Sequence, residues 1–205
     1  MWLFLLFCSV GFVGSAALFH WAEPANPWPL YLSLPVLAFI CAYSYTKRFT
    51  CLAHFWLGAS LLLAPLAAWI AILGLSQLAT PLVVGAAVLF WVAGFDIIYA
   101  CQDVAFDRQA KLYSVPALLG VRASLWVALS CHVVMLGFLL VLYWVAGLGS
   151  IYLAGITLVA LLLLYEHSLV RPENLSRVNQ AFFQVNAIVS VGLLLIVLLQ
   201  LVISH

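Results

Sequence analysis

Apolar runs about as long as a membrane helix recur along the whole of this chain of 205 residues. A helix needs about 20 consecutive, mostly apolar residues to cross the hydrocarbon core of a bilayer. Seven runs approach or exceed that length, at residues 2–19, 28–45, 52–73, 81–100, 123–145, 151–165 and 181–203. Gly and Pro inside them do not exclude helix, because membrane helices tolerate both. With 68% hydrophobic residues and no linker or low-complexity tract, residues 1–205 are predicted to form one all-α, polytopic transmembrane domain.

The basic residues fall in alternate gaps between these runs. Lys or Arg occurs in the second, fourth and sixth gaps, at Lys47, Arg48, Arg108, Lys111, Arg122, Arg171 and Arg177. The remaining gaps, at residues 20–27, 74–80 and 146–150, contain neither. The positive-inside rule therefore predicts that all seven bases face the cytoplasm, with the N-terminus inside and the C-terminus outside. A net charge of +1 gives no indication of a nucleic-acid partner.

Half of the acidic residues are concentrated in one segment. Three of the six Asp and Glu side chains lie between Asp96 and Asp107, at the end of an apolar run. An ionisable side chain at the centre of a membrane helix costs roughly 2.5–3.5 kcal/mol on insertion scales, so such a group usually has a function. On one α-helix Asp96, Asp103 and Asp107 lie within about 40° of one another, with Tyr99 beside them. The spacing predicts a ridge of carboxylates that turns into the bundle.

Carboxylates on one face repel one another unless a cation lies among them. Mg²⁺ suits such a site, because it takes oxygen ligands and is usually held by one or two carboxylates together with substrate phosphates. Four cations on the same membrane face could complete an anion site for a phosphorylated substrate: Lys47, Arg48, Arg108 and Lys111. The alternative is a cytoplasmic loop helix whose acids pair with nearby Arg and Lys. The spacing alone does not decide between the two.

Several motifs resemble those of the UbiA superfamily of membrane aromatic prenyltransferases. The pattern D-x-x-Y-A-x-Q-D-x-x-x-D-R from Asp96 to Arg108, followed by S-V-P at Ser114, resembles the second aspartate-rich motif of that family. The segment YSYTKRFT from Tyr43 resembles its conserved cytoplasmic loop. The segments YEH at 165–167 and VNQAFFQVN at 178–186 are similar to the bacterial 4-hydroxybenzoate and menaquinone-pathway branch. The resemblance runs essentially from end to end.

The resemblance implies transfer of a polyprenyl group from its diphosphate to an aromatic acid, in quinone synthesis at the bacterial inner membrane. It implies Mg²⁺ at Asp103 and Asp107, and a role for Asp96 in orienting this cluster or the aromatic acceptor. Tyr99 is implied to stabilise an allylic carbocation through its ring. The residues implied to contact the diphosphate from the neighbouring loop are Tyr43, Ser44, Lys47 and Arg48. Arg108 and Lys111 are implied as further substrate-binding residues.

One departure from the family pattern limits this interpretation. Members have nine helices and a first acidic motif, N-x-x-x-D-x-x-x-D, which has no counterpart here. The seven runs therefore match helices 3–9, and we expect the 205 residues alone to have little or no activity. Two other classes stay open. A silent membrane protein would at most bind prenyl diphosphate, whereas a small-solute transporter would place ionisable groups near the middle of several spans.

Four polar residues outside the acidic stretch and the loop motif require an interpretation. Asn179 and Asn186 are seven residues apart, so the sequence predicts that they share one face of the last helix. There they either line the substrate pocket or form hydrogen bonds with neighbouring helices. Glu166 is expected at the membrane interface, solvated by water or lipid headgroups, and the alternative is a role in substrate binding. His54 shows no metal-ligand spacing and is predicted to be a packing or interface residue.

Overall fold

The computed structural model describes residues 2–22 and 25–204. Within these ranges there is no strand, and seven helical segments are long and apolar enough to cross a membrane. The α-helices are α1 (Trp2–Trp21), α2 (Trp28–Thr46), α3 (Ala53–Leu73), α4 (Ala79–Ala100), α5 (Val104–Gln109), α6 (Val115–Leu119), α7 (Val121–Val145), α8 (Ser150–Leu169) and α9 (Asn186–Ser204). The predicted all-α transmembrane bundle is confirmed, and the ends of the predicted spans agree with the helices to within about five residues.

Each long helix packs against the next long helix along the chain, and α4 makes the most extensive of these contacts. Its two faces carry the most extensive contacts of the bundle, one against α3 and the other against α7. Two glycines allow this close approach. A Cβ added at Gly58 would collide with the Leu89 carbonyl on α4, and one added at Gly94 would collide with the His132 ring on α7. Small residues let membrane helices approach closely and so gain van der Waals contact.

Two segments depart from α-helical geometry. A 3₁₀ turn (Cys101–Asp103) joins α4 to α5, and a π-helix (Gln180–Val185) leads into α9. A 3₁₀ turn advances about 120° per residue instead of about 100°, so three residues rotate the following side chains by about 60°. The single uninterrupted α-helix assumed over residues 96–107 is therefore wrong, and the acidic side chains lie at different angles from those expected.

All seven Lys and Arg residues lie in or beside connections at one end of the bundle, which we call the basic end. These connections follow α2, α4 and α8. The first two are joined directly, since the Tyr113 backbone N–H donates a 2.6 Å hydrogen bond to the Lys47 carbonyl. This contact brings the two sequence motifs that carry most of the charge into one place.

Candidate functional site

The carboxylate of Asp96, near the end of α4, is hydrogen-bonded to His54, a buried histidine of α3. The Nδ1 atom of His54 lies 2.7 Å from Oδ2 of Asp96, and His54 is completely buried. On the other side of the ring, Nε2 accepts a hydrogen bond of 3.4 Å from the backbone N–H of Val115. Because Nε2 accepts, Nδ1 carries the proton that is donated to the Asp96 carboxylate. His54 thus links α3, the end of α4 and the start of α6.

Asp107 forms an ion pair with the loop that follows α2. Oδ2 of Asp107 lies 3.3 Å from Nζ of Lys47, and the Asp107 side chain is 2% exposed against 31% for Lys47. The carboxylate is thus buried beneath an ammonium that still reaches the aqueous edge. Asp103, four residues earlier, is exposed. The structure therefore does not place the two aspartates in the same environment.

Arg108 lies in the last turn of α5, and Lys111 lies in the connection to α6. Nε of Arg108 donates a 3.0 Å hydrogen bond to the Ala117 carbonyl, which fastens α5 to α6. Lys111 is exposed and has a φ of 54°, in the left-handed region. Ser114 caps α6, since its Oγ accepts a hydrogen bond of 3.2 Å from the Ala117 N–H. This S-V-P segment therefore forms the helix start that its sequence indicates.

The loop motif after α2 divides between buried and exposed positions. Tyr43 is half-buried. Ser44 is exposed. The Arg48 guanidinium lies 5.4 Å from the centre of the Tyr45 ring, so it covers an aromatic face while its charge stays in solvent. Lys47 is thus the motif's cation that directly contacts the acidic stretch.

Tyr99 belongs to a cluster of rings between α4 and the π-helix. Its ring centre lies 4.5 Å from that of Phe182 and 6.5 Å from that of Phe183. One turn earlier on α4, Phe95 contacts Phe182 at 5.3 Å. Beside these rings a cavity of about 480 Å³ opens between α3, α4 and the start of α9. Its mostly apolar lining and its size are typical of a small-molecule site.

The two asparagines do not share a face. Asn179 is exposed, whereas Asn186 is 8% exposed. Oδ1 of Asn186 accepts a hydrogen bond of 3.0 Å from the Trp91 indole, and its Nδ2 donates to the Phe182 carbonyl at 2.8 Å. The shared-face prediction is wrong because the π-helix between them adds a residue to the turn and rotates the register. Asn186 and Trp91 both line the cavity.

Glu166 is buried rather than solvated at the interface, so that expectation is also wrong. Its side chain is 0% exposed, and Oε2 lies 3.9 Å from Nδ1 of His132 on α7. The same His132 nitrogen lies 2.9 Å from Nε2 of His167. The position of Glu166 near the end of α8 suggested exposure. The side chain, however, points back between α7 and α8, on the same face as the buried Leu163.

The side chains of the acidic stretch alone provide too few ligands for a divalent cation, so substrate phosphates would have to complete its coordination. In the described part of the chain, no group of three or more His, Cys, Asp and Glu side chains is arranged to hold a metal ion. Asp96 and Asp107 each have one oxygen engaged, by His54 and Lys47 respectively. The exposed Asp103 carboxylate and the second oxygen of Asp107 are hard oxygen donors. Such a pair suits Mg²⁺ that also binds phosphate oxygens.

The contact between His54 and Asp96 was not predicted from the sequence. His54 lies seven residues after Lys47, and no spacing rule connects it to Asp96, which is 42 residues further on. The available signal was its position in the first turn of a membrane helix, next to a basic motif on the same membrane face as the acidic stretch. An ionisable residue there is costly unless it has a partner.

The family model of the UbiA prenyltransferase family matches residues 1–188 of this chain. Among curated relatives, the 4-hydroxybenzoate octaprenyltransferase of Nitrosomonas europaea is 33% identical over 180 residues, covering 84% of this chain and 59% of the relative. The enzyme of the same name from Azoarcus sp. is 29% identical over 172 residues, covering 82% and 58%. The chain thus spans less than two-thirds of the length of these relatives. The solved apo structure of a UbiA homologue from Aeropyrum pernix K1 superposes with a TM-score of 0.77 at 30% identity, covering 91% of this chain and 68% of that one.

Proposed function

This chain belongs to the UbiA prenyltransferase family, and we propose that it acts in the transfer of a polyprenyl group from polyprenyl diphosphate to an aromatic acid. The relatives named 4-hydroxybenzoate octaprenyltransferase support an acceptor of the 4-hydroxybenzoate type. The proposed setting is quinone synthesis in a bacterial inner membrane. There the basic end faces the cytoplasm, the N-terminus lies inside and the C-terminus outside, and residues 1–205 act as one domain.

The observation that carries the proposal is the contact between the two charged motifs. The 3.3 Å pair between Lys47 and Asp107 joins the loop after α2 to the acidic stretch. The His54–Asp96 bond fixes the other end of that stretch. Carboxylates and cations therefore converge at the membrane boundary, beside a mostly apolar cavity. This is the arrangement that a ligand with a diphosphate head and a lipid tail requires.

In this proposal Asp103 and Asp107 would hold Mg²⁺, which when bound would neutralise charge on the leaving diphosphate. Lys47 and Arg48 bind the diphosphate oxygens as charge develops on them. An incoming diphosphate would compete with the Asp107 carboxylate for the Lys47 ammonium. Tyr43, Ser44, Arg108 and Lys111 are assigned to the same anion site.

We assign the formation of the new bond to the allylic carbon to the part of the site that is lined by aromatic rings. The bond between the allylic carbon and the diphosphate oxygen breaks, and the electron-rich ring of the acceptor attacks that carbon. Tyr99 presents its ring next to Phe182, where a π face can stabilise the allylic cation. Asp96, oriented by His54, positions the acceptor or the cation site. The cavity beside Asn186 accommodates part of the prenyl tail, and Asn179 is assigned to its entrance.

The test is Mg²⁺-dependent binding of farnesyl diphosphate to the purified chain in detergent. An assay of transfer to 4-hydroxybenzoate then checks the expectation that these 205 residues alone have little or no activity. Asp103→Asn together with Asp107→Asn is expected to abolish the Mg²⁺-dependent part of binding. Glu173→Gln, which changes an exposed acid at the same end of the bundle, is the matched control and is expected to bind like the wild type. Unchanged Mg²⁺-dependent binding in the double variant would refute the proposal.

A further inference from the structure

A second charged cleft lies at the basic end, between α7 and α8. Its volume is about 350 Å³, and its lining includes Arg122, Arg171 and Glu173. Arg122 belongs to the first turn of α7, whereas Arg171 follows the end of α8. Over the described ranges, no ion pair or hydrogen bond engages either guanidinium group. We call this the α7–α8 cleft, and none of its lining residues belongs to the site proposed above.

The cleft continues from its charged mouth along an apolar wall. Arg122, Leu125, Trp126 and Leu129 recur at helical spacing, so they form one face of α7. That face lies about 120° around the helix from the buried side of α7. Trp126 is 66% exposed, as expected for an aromatic residue at the membrane boundary. The wall therefore faces the hydrocarbon region, while the mouth faces water.

The inner side of the cleft is fixed to the core of the bundle. His167 lines the cleft, and its Nε2 lies 2.9 Å from Nδ1 of His132. His132 is 1% exposed and packs directly against Gly94 of α4. The N-terminus of α7 adds a further feature, since Gly120 provides no side-chain cap for the backbone N–H groups of the first turn. The α7–α8 cleft thus presents two unpaired guanidinium groups beside a wall that contacts the buried core of the bundle.

We propose that the α7–α8 cleft binds a membrane glycerophospholipid, with the phosphodiester between Arg122 and Arg171 and an acyl chain along Leu125 and Leu129. A guanidinium group can donate two parallel hydrogen bonds to phosphate oxygens, and the mouth of the cleft is lined by two such groups. A water-soluble phosphate compound makes no use of the apolar wall. The Glu173 carboxylate favours a headgroup that carries an ammonium, such as ethanolamine, over a glycerol headgroup. This site does not depend on prenyl transfer.

Native mass spectrometry of the delipidated chain in detergent tests the proposal. The probes are dioleoyl phosphatidylethanolamine, dioleoyl phosphatidylglycerol, glycerophosphoethanolamine without acyl chains, and inorganic phosphate. One phosphatidylethanolamine is expected to bind saturably, and both probes without acyl chains are expected to bind at least about a hundredfold more weakly. Equal affinity for glycerophosphoethanolamine and the full lipid would overturn the role of the apolar wall.

Variants of the charged mouth separate this site from general lipid binding. Arg122→Gln with Arg171→Gln is expected to weaken phosphatidylethanolamine binding by about tenfold or more. Arg177→Gln is the matched control, because Arg177 is an exposed arginine of the same loop that does not line the cleft. Unchanged lipid affinity in the double Gln variant, with the control also unchanged, overturns the site.

Two further variants separate loss of binding from misfolding and test recognition of the lipid headgroup. Arg122→Lys with Arg171→Lys keeps both charges but loses the planar fork, so its affinity is expected to fall between those of the wild type and the Gln variant. Affinity equal to the wild type would contradict paired guanidinium recognition. Glu173→Gln is expected to remove the preference for ethanolamine over glycerol, and a preference that survives this change would refute the role of Glu173.

Discussion

Replacing His54 with leucine tests whether this buried ring supports the site. Leu has a similar size but can neither donate to Asp96 nor accept from Val115. The bond of 2.7 Å to the carboxylate is charge-assisted, and losing such a bond costs about 1.5–3 kcal/mol. The Val115 N–H then loses its acceptor, which adds about 1–3 kcal/mol for an unsatisfied buried donor. Because Asp96 keeps partial access to water at 19% exposure, we expect a total near the lower end, about 3 kcal/mol.

The assay is reversible unfolding in mixed micelles of dodecyl maltoside and sodium dodecyl sulfate, followed by the fluorescence of the eight Trp residues. His54→Gln is the matched control, since its amide can donate to Asp96 while its carbonyl accepts from Val115. We expect the Gln variant to lose less than half as much stability as the Leu variant. If the Leu variant unfolds within about 0.5 kcal/mol of the wild type, the two bonds do not stabilise the fold, and this reasoning is refuted.

Two further substitutions test contacts that position the same segment. Lys47→Met leaves the buried Asp107 carboxylate without its cation and is expected to cost about 1–3 kcal/mol in the same unfolding assay, discounted for the partial exposure of Lys47. The double variant with Asp107→Leu should recover most of that loss, and no recovery would contradict the pair. Gly94→Ala places a methyl group against His132 and is expected to cost about 1–3 kcal/mol, whereas Gly137→Ala meets open space and should be nearly neutral. Equal effects at the two glycines would show that α4 and α7 do not pack as described.

The membrane spans were predictable because the bilayer requires each of them to be a run of apolar residues long enough to cross it. A membrane helix must satisfy its own backbone, so the length and apolarity of each run are sufficient to locate it. Even the ends of α7 agree with the predicted run to within two residues. The motifs on α2 and α4 likewise predicted that Lys47 and the acidic stretch share one face of the membrane, because alternating helices return the chain to the same side.

Contacts within the bundle were not predictable in the same way. The 3₁₀ turn before Asp107 and the π-helix before Asn186 change the register by fractions of a turn, and no residue pattern at either place signals the change. The partner of Asp96 depends on how α3 is rotated against α4, which follows from packing at Gly58. Burial of Glu166 has the same origin, since the side chain turns toward α7 rather than toward the nearby membrane surface.

The packing of α4 explains how charged chemistry can be held at a membrane boundary. Gly94 and Asp96 are two residues apart, so they face opposite sides of the helix. On one side His132 packs against Gly94, and on the other His54 binds Asp96. Each histidine comes from a different neighbouring helix, α7 or α3, and each is almost completely buried. Rotation or translation of α4 would break at least one of these contacts. The carboxylates that follow Asp96 therefore extend from a helix fixed on both sides, which is the preorganisation that the proposed diphosphate site requires.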